Sequence, residues 1–526
     1  MNRRRAWVIV TVAALVAVGL TASAGATGAR AVKVDPKGIL RFGQYLDASG
    51  AGGVISLDPT SEIGSPINTA IARLIYDNLV RKGPGGEALP GLATAWKVPD
   101  GQTVELTLRK GVKFQDGTKF DADAVKFSLA RTRDSGNPTL EKNFSKIDAI
   151  DVVAPDVVRI HLNTPVMANV FADLKDWEGF IVSPTAVQKA GDAYAKQPVG
   201  AGPYRLKEFV PEERISLRKY RGFWERSGWK LAGIDFSQVA QGPPAVTALR
   251  AEQVDMVLAT DQAMVDALRG QPGITVSSAP SNASVQVFAM CVTTPPFDKL
   301  EVRQAISYAI DRQEINHATT GGSGVITDLP WTRDSVYYAK DVAGRYPHNP
   351  KKAKQLLAKA GLPNGFSFDL MIFPAPSFVP PAEVIQQQLK DVGIKVNIVQ
   401  ASNYVQQLLV DNQAPATVVQ SISAGLGKIS FIDPSQPFGM GNWCHYTTPK
   451  LATAVAALKK LVGDVTAEKE QWRAVEKVIM DEVPIIFLFF LPVTVAYGPH
   501  VGGVKQIYGA SGEGPDFRTI FVKKGG

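Results

Sequence analysis

Residues 91–131 read GLATAWKVPDGQTVELTLRKGVKFQDGTKFDADAVKFSLAR and carry the clearest folding pattern in the chain. Apolar and polar residues alternate over 104–108, which predicts a half-buried strand. The turn sequence Pro99-Asp100-Gly101 stands just before it and predicts a hairpin with a strand around Trp96. The stretch therefore begins with a β-hairpin.

A helix follows this hairpin, and the same alternation of strands and helices recurs along the chain. Asp121 or Asp123 can cap a helix that runs toward Arg131. Apolar residues spaced for one helix face predict further helices at 302–310, 350–361, 382–392 and 472–479. Strands are predicted at 394–398 and from Ile485 to Leu491. This pattern indicates an α/β protein of several units.

Length and composition favour a large folded protein. The chain has 526 residues, of which 45% are hydrophobic and 20% are charged, so it can bury a sizeable core. Its net charge is +8, and Arg3, Arg4 and Arg5 carry three of those charges, which leaves +5 without them. Acidic and basic residues alternate elsewhere, as in Glu301-Val302-Arg303, so no basic nucleic-acid face is predicted.

The N-terminus has the pattern of an export signal. Three arginines precede an uncharged run from Ala6 to Leu20, and small residues follow at Ala22 and Ala24. The apolar run is 15 residues long, whereas a membrane-spanning helix takes about 20. We therefore expect residues 1–26 to be a signal peptide that is cleaved near Ala24 or Ala26. An uncleaved membrane anchor is the alternative.

The two cysteines, Cys291 and Cys444, lie far from the signal segment. A lipoprotein requires a cysteine at the cleavage site, so we expect a soluble extracytoplasmic protein without a lipid anchor. An even number of cysteines in an oxidising compartment favours a Cys291–Cys444 disulfide. Two buried free thiols are the alternative.

No catalytic, metal or cofactor motif is present. The chain lacks the phosphate-loop pattern G-x-x-x-x-G-K-[ST] and the nucleophile-elbow pattern G-x-S-x-G. The glycine-rich run 321–324 is better explained as a plain loop than as an anion cradle. The histidines have no zinc-site spacing; they are His161, His317, His348, His445 and His500. We expect a binding protein without a cofactor, not an enzyme.

Five segments together resemble the extracytoplasmic solute-binding proteins, family 5, which serve peptide and nickel ABC importers. The first segment is the opening stretch, 91–131. The others, in family order, are PVGAGPYRL at 198–206, PPFDKLEVRQAISYAIDR at 295–312, YPHNPKKAKQLLAKAG at 346–361 and VIQQQLKDVGIKVNI at 384–398. Together they span residues 91–398, which is most of the chain after the signal.

The resemblance implies a two-lobed clamshell with an extra subdomain in the first lobe. Lobe I would take residues 27–285, including an inserted subdomain at about 58–199. Lobe II would take 286–483, and 484–526 would return to lobe I. Both cysteines would then lie in lobe II, so their bridge would staple one lobe.

The implied function is to capture peptides or a peptide-like solute by closing the lobes and to deliver it to a membrane permease. Peptide binders of this family commonly carry an aspartate three residues before an Asp-Pro or Glu-Pro pair, and that aspartate neutralises the peptide ammonium. Here the pair begins at Asp433, and the matching position is Ser430, which supplies no charge. Either another acid, such as Asp433, takes the role, or the solute has no free amine.

Further ligand-binding candidates are aromatic residues in or beside predicted loops. They are Tyr45, Trp331, Phe378 and Trp443. Aromatic side chains bury a large area in such pockets while ordering few torsions. Ordinary core packing is the alternative for each of them.

Two other functions stay open. The same fold could carry a chelated metal or an oligosaccharide. A secreted hydrolase would need a nucleophile and a base in one pocket, which scattered histidines do not favour. We expect a monomer that binds a small solute and a permease but no nucleic acid.

Overall fold

The computed structural model describes most of the chain after residue 32. The described residues are 33–44, 56–61, 66–83, 87–165, 167–240, 242–259, 262–373, 376–421, 433, 442–444, 446–461, 465–504 and 515–525. The predicted signal peptide, Tyr45 and Ser430 lie outside them. The described residues from Val34 onward belong to one compact unit.

The first half of the chain begins with a strand and then forms mixed strands and helices. Its strands are β1 (Ile39–Gln44), β2 (Val80–Lys82), β3 (Ala88–Pro90), β4 (Ala93–Lys97), β5 (Thr103–Leu108), β6 (Ile147–Ala154), β7 (Val157–Leu162), β8 (Tyr204–Val210), β9 (Arg214–Lys219), β10 (Gly233–Gln238) and β11 (Met256–Ala259). Its helices are α1 (Pro66–Ile75), α2 (Ala122–Arg133), α3 (Pro138–Phe144), α4 (Met167–Leu174), α5 (Pro184–Ala190), α6 (Pro243–Arg250) and α7 (Gln262–Leu268).

The second half begins with a long strand that leads into a helix-rich region. Its strands are β12 (Thr275–Met290), β13 (Val325–Ile326), β14 (Ser367–Ile372), β15 (Lys395–Gln400), β16 (Ala416–Ser421), β17 (Ile485–Tyr497), β18 (Val501–Gly502) and β19 (Phe521–Val522). Its helices are α8 (Leu300–Ala309), α9 (Arg312–Thr320), α10 (Pro350–Lys359), α11 (Val379–Lys390), α12 (Pro449–Lys460) and α13 (Val465–Glu482). A π-helix, Val405–Val410, follows β15.

One large sheet connects the two lobes. Its order is β15-β14-β16-β12-β17-β11-β1-β10-β9-β8, with β13 paired to β17. The middle strands β12 and β17 are antiparallel and long enough to serve both lobes. One end of this pair carries β16 and the other carries β11.

The ladder between β12 and β17 is interrupted where the lobes meet. Pro280 stands opposite Pro492, and the register then shifts between Pro280 and Val285. Proline has no backbone N–H to donate, so two facing prolines weaken the ladder at this point. We call this place the hinge.

The extra subdomain has a sheet and a core of its own. The sheet runs in the order β4-β5-β7-β6, and the predicted hairpin is confirmed as the antiparallel pair β4 and β5. Helix α2 packs on β6 and β7. The carboxylate of Asp121 caps this helix by accepting from the N–H of Ala124, which settles the capping residue as Asp121.

Helices predicted in the second lobe are confirmed with small changes of boundary. Helix α10 starts after its cap Asn349, with Pro350 in the first turn, as the sequence indicated. Helix α13 begins at Val465, several residues before the predicted apolar stripe. The earlier turns carry mostly polar residues, so the apolar pattern does not reveal them.

The structure joins Cys291 to Cys444 by a disulfide across 153 residues of chain. Cys291 directly follows β12, and its Sγ accepts a hydrogen bond from Thr294 Oγ1 at 3.0 Å. Both cysteines contact the hydrophobic core of the second lobe. The bridge therefore lies within one lobe.

An ion pair inside the first lobe predicts a pH-dependent stability. Both carboxylate oxygens of Asp58 accept from Arg131, at 2.7 and 2.5 Å. Burial raises the pKa of Asp58, but hydrogen bonds from Arg131 and Thr60 outweigh it and leave the pKa below 3.8. A lowered carboxyl pKa stabilises the fold above the pKa of the unfolded chain, and this contribution is lost as the pH falls through the folded pKa.

We expect Asp58→Asn to lower the free energy of unfolding by about 2 kcal/mol at neutral pH. The difference from the wild type should shrink as the pH falls below about 4, measured by urea unfolding at a series of pH values. Asp134→Asn is the matched control, because Asp134 is 61% exposed where it pairs with Arg133. A pH-independent difference for Asp58→Asn would contradict the assignment.

Candidate functional site

Strand direction identifies the functional face of each lobe. In the first lobe, β1, β10 and β11 are parallel, and β11 approaches the hinge as it runs to its carboxyl end. In the second lobe, β14, β15 and β16 are parallel, and Ser421 at the end of β16 aligns with Val285 beside the hinge. The carboxyl ends of both parallel sets therefore point at one hinge from opposite sides. Ligands of open α/β sheets bind at such carboxyl edges.

The second-lobe edge carries an aromatic group that we call the edge cluster, consisting of Phe373, Phe378 and Tyr404. Phe373 directly follows β14, and its ring centroid lies 5.7 Å from the rings of both Phe378 and Tyr404. Phe373 is 37% exposed, which is high for a large apolar side chain. The edge cluster thus offers an aromatic surface at the hinge-facing end of the strands.

Tyr404 is anchored beneath this surface by its hydroxyl group. Its Oη lies 2.8 Å from Thr417 Oγ1, and Thr417 in turn donates to the carbonyl of Met371 at 2.8 Å. Burial raises the pKa of Tyr404 to about 12, so the phenol stays protonated at neutral pH. The ring is therefore held in one orientation by β14 and β16.

The ligand-binding residues predicted from the sequence lie in several parts of the chain. Phe378 belongs to the edge cluster and is half-buried. Tyr45 comes immediately after Gln44, the carboxyl end of β1, and Ser430 lies in the segment that follows β16. Their side chains lie outside the described residues, but the strands before both of them end at the hinge-facing edges.

Asp433 already has a cationic partner. Its side chain is buried, and its carboxylate forms an ion pair with Lys459 of α12. A carboxylate neutralised by a lysine attracts a ligand ammonium less strongly than an unpaired one.

Trp331 packs in the core of the second lobe. Its ring lies 4.9 Å from Trp472 and 4.8 Å from Tyr337, and its side chain is buried. These contacts are those of a core residue.

Trp443 lies at the end of the second lobe that is away from the hinge. It lines a cavity of about 620 Å³ together with Cys291, Cys444 and Phe297. Because β12 runs from the hinge to Met290, Cys291 marks the distal end of the strand. The structure thus separates Trp443 from the edge cluster.

The glycine-rich run 321–324 forms a tight structural loop. Gly321 ends α9 with a positive φ of 61°, and the N–H of Gly324 donates to Asn316 Oδ1 at 3.1 Å. The Asn316 Nδ2 group donates to the carbonyl of Gly324 at 2.9 Å. The loop folds back on its own helix, as the plain-loop interpretation expected.

Within the described part of the chain, no three His, Cys, Asp or Glu side chains are grouped so that they could hold a metal ion. Among the helices of that same part, none is both long and apolar enough for a membrane span.

Only one of the three residues of the edge cluster, Phe378, was predicted from the sequence. Phe373 and Tyr404 were not among the predicted site residues, although Phe373 follows one parallel strand directly and Tyr404 comes four residues after another. An aromatic residue just beyond a strand is a usable signal only when the strand is known to end at the cleft. That knowledge depends on the strand order of the whole sheet.

A two-lobed α/β protein whose parallel strands end at one hinge belongs to the class of periplasmic binding proteins. Two solved structures share the fold. DppA from Helicobacter pylori, in complex with the peptide STSA, aligns with a TM-score of 0.74 and 23% identity over 94% of this chain and 99% of that one. AgaA from A. tumefacien R10, in complex with agropinic acid, aligns with a TM-score of 0.72 and 24% identity over 92% and 99%.

Residues 87–436 match the family model of the bacterial extracellular solute-binding proteins, family 5 Middle. The chain therefore belongs to this family. The glutathione-binding protein GsiB of Shigella flexneri is 32% identical over 356 residues, which are 65% of this chain and 67% of that protein. The protein is thus a solute-binding component of an ABC importer, with a small solute and a permease as its partners.

Proposed function

We propose that this protein captures peptides or a peptide-like solute between its lobes and delivers it to a membrane permease. The observation that carries the proposal is that the parallel strands of both lobes end at one hinge. A solute bound there contacts both lobes, so its binding energy favours the closed form over the open one. The permease then opens the lobes to release the solute.

The relatives of this chain favour a peptide-like solute. A protein 32% identical to this chain is named for binding glutathione, a tripeptide. The edge cluster supplies aromatic surface for the apolar parts of such a solute. Asp433 is paired with Lys459, and Ser430 stands where peptide binders of this family commonly carry an aspartate. Both features disfavour strong recognition of a free α-ammonium. A peptide whose amine is blocked, or is held by other groups, fits these features.

We also propose limits for the two lobes along the chain. Lobe I takes 27–285 with the subdomain at about 58–199, lobe II takes 286–483, and 484–526 returns to lobe I. The facing prolines, Pro280 and Pro492, support the first limit but favour a return to lobe I near Pro492, because residues 485–490 pack in the core of the second lobe. We further propose a cleaved signal peptide at 1–26, a soluble monomer without a lipid anchor, and a protein that neither catalyses a reaction nor binds nucleic acid.

Native mass spectrometry of the purified protein tests the solute class directly. Gentle ionisation should show a bound molecule whose fragmentation yields amino acids. Unfolding in acid followed by refolding gives a solute-free sample for titration with glutathione. A sugar or a metal chelate in the bound fraction would replace the peptide assignment, and turnover of the bound molecule by the purified protein would make it an enzyme.

The edge cluster gives a prediction for binding. We expect Phe373→Ala to weaken binding of the solute identified by mass spectrometry by about tenfold, because the exposed aromatic surface is lost. The free energy of unfolding should fall by only about 1 kcal/mol, since the side chain is 37% exposed and packs against two neighbouring rings. Isothermal titration calorimetry measures the first quantity, and thermal unfolding measures the second.

Val336→Ala is the matched control for this variant. Val336 is 52% exposed and lies outside the edge cluster. Its binding constant should equal that of the wild type. Equal binding by Phe373→Ala and the wild type would exclude the edge cluster from the site.

A further inference from the structure

The cavity of about 620 Å³ beside Trp443 lies at the end of the second lobe that is away from the hinge, and we call it the distal cavity. Ser367 at the start of β14 and Pro415 just before β16 line it, so it lies at the amino edge of the parallel strands. The proposed solute site lies at their opposite, carboxyl edge. The distal cavity is therefore separate from that site.

The wall of the distal cavity contains the disulfide. Both Cys291 and Cys444 line the cavity, and exposed residues such as Thr293 and Asn412 lie at its rim. Cys291 is only 5% exposed, whereas Cys444 is partly exposed. Exposed disulfides exchange with thiols more readily than buried ones. A small molecule in the cavity therefore reaches the bridge more readily from the Cys444 side.

Two hydroxyl groups donate to the sulfur of Cys291. Thr294 Oγ1 lies 3.0 Å from Cys291 Sγ, and Thr293 Oγ1 lies 3.4 Å from it. Such donors stabilise the negative charge that develops on a sulfur when its S–S bond breaks. A more stable thiolate also leaves faster in thiol–disulfide exchange. These contacts favour Cys291 as the leaving sulfur.

The distal cavity also has a charge preference. Asp369 is the only charged residue among the described residues that line it. Its Oδ1 accepts from Asn397 Nδ2 at 3.0 Å, and the side chain is exposed. A carboxylate attracts cations and repels anions. The cavity therefore favours a thiol that carries an ammonium group over a thiol that carries an anionic group.

We propose that the distal cavity is a thiol–disulfide exchange site for small aminothiols, which become attached to Cys444. The thiolate of the aminothiol attacks Cys444 Sγ and forms a new S–S bond with it. The Cys291–Cys444 bond breaks, and its electron pair goes to Cys291 Sγ, which leaves as a thiolate. The aminothiol is oxidised and Cys291 is reduced, so the step requires no other oxidant or reductant.

Cysteamine, a small aminothiol, tests the site in the purified, folded protein. The oxidised protein is incubated with excess cysteamine at mildly alkaline pH, quenched with acid, freed of the small thiol and treated with a reagent that alkylates free cysteines. Peptide mass spectrometry at early times should find cysteamine on Cys444 and the alkyl group on Cys291. Cysteamine on Cys291 would overturn the proposal, as would a disulfide that stays intact while the protein is folded.

Charge selectivity distinguishes exchange in the cavity from exchange after unfolding. The rates with cysteamine and with mercaptoethanesulfonate, an anionic thiol, are each divided by the rate of the same thiol with the urea-unfolded protein. Asp369→Asn should lower the resulting preference for cysteamine by about threefold at low ionic strength. Asp266→Asn is the matched control, because Asp266 of α7 is 61% exposed and loses the same charge. An unchanged preference in Asp369→Asn would overturn the assignment to aminothiols.

Thr294→Val tests the leaving sulfur, since valine keeps the shape of the side chain but removes the shorter hydrogen bond to Cys291. The rate with cysteamine, relative to the unfolded protein, should fall by about fivefold. An unchanged rate would contradict the role of Cys291 as the leaving sulfur. These measurements use no solute, so their outcome is independent of the peptide assignment.

Discussion

Replacing both cysteines, as Cys291→Ala with Cys444→Ala, is expected to lower the free energy of unfolding by up to about 5 kcal/mol. The bridge closes a loop of 153 residues, so its removal greatly increases the conformational freedom of the unfolded chain. The loss should fall on the second lobe, because both cysteines contact its core. Chemical unfolding followed by tryptophan fluorescence measures the shift.

Chemical reduction of the disulfide provides an internal control for this prediction. Dithiothreitol should destabilise the wild type but leave the double variant unchanged. Thiol titration of the denatured, unreduced wild type should detect no reactive thiol. Two reactive thiols would show that the cysteines are not joined, and equal unfolding midpoints would show that the bridge does not stabilise the lobe.

The second large effect is expected at Trp472 of α13, which is fully buried. Its ring meets the ring of Trp331 edge to face at 4.9 Å. Trp472→Ala should lower the free energy of unfolding by about 3–5 kcal/mol, because it removes this contact and leaves a cavity. Trp331→Ala should have an effect of similar size. Thermal and chemical unfolding measure both.

Trp472→Phe is the control, since it keeps an aromatic ring and should lose much less stability than the alanine variant. The alanine variants also test whether Trp331 is a core residue or a residue of the binding site. A Trp331→Ala protein that keeps its stability but loses solute binding would return Trp331 to the binding site. A stability loss without a specific binding defect would confirm it as a core residue.

Parts of the fold could be predicted from the sequence because their signals are local. The hairpin of β4 and β5 is specified by the turn at 99–101 and by residues that alternate between apolar and polar. The start of α10 is specified by Asn349 and Pro350, which satisfy and pre-shape the first helical turn. Such signals depend on neighbouring residues alone. Tertiary contacts did not reverse them.

The candidate site was harder to predict because it depends on strands that are distant in sequence. Phe378 was identified, but Phe373 and Tyr404 were not, and Trp443 came to lie beside the disulfide instead of with them. An aromatic residue has the same local signature in a core, in a cavity wall and at a ligand site. Only the order and direction of the strands distinguish these places.

The sequence by itself determined the alternation of strands and helices, the caps and turns, and the likeness to the family. These features follow from backbone preferences and from the spacing of apolar residues within one element. The tertiary structure alone decided that β12 pairs with β17 across the hinge and that both sets of parallel strands end there. These arrangements depend on packing between elements hundreds of residues apart, and a local pattern does not encode which partner each element finds.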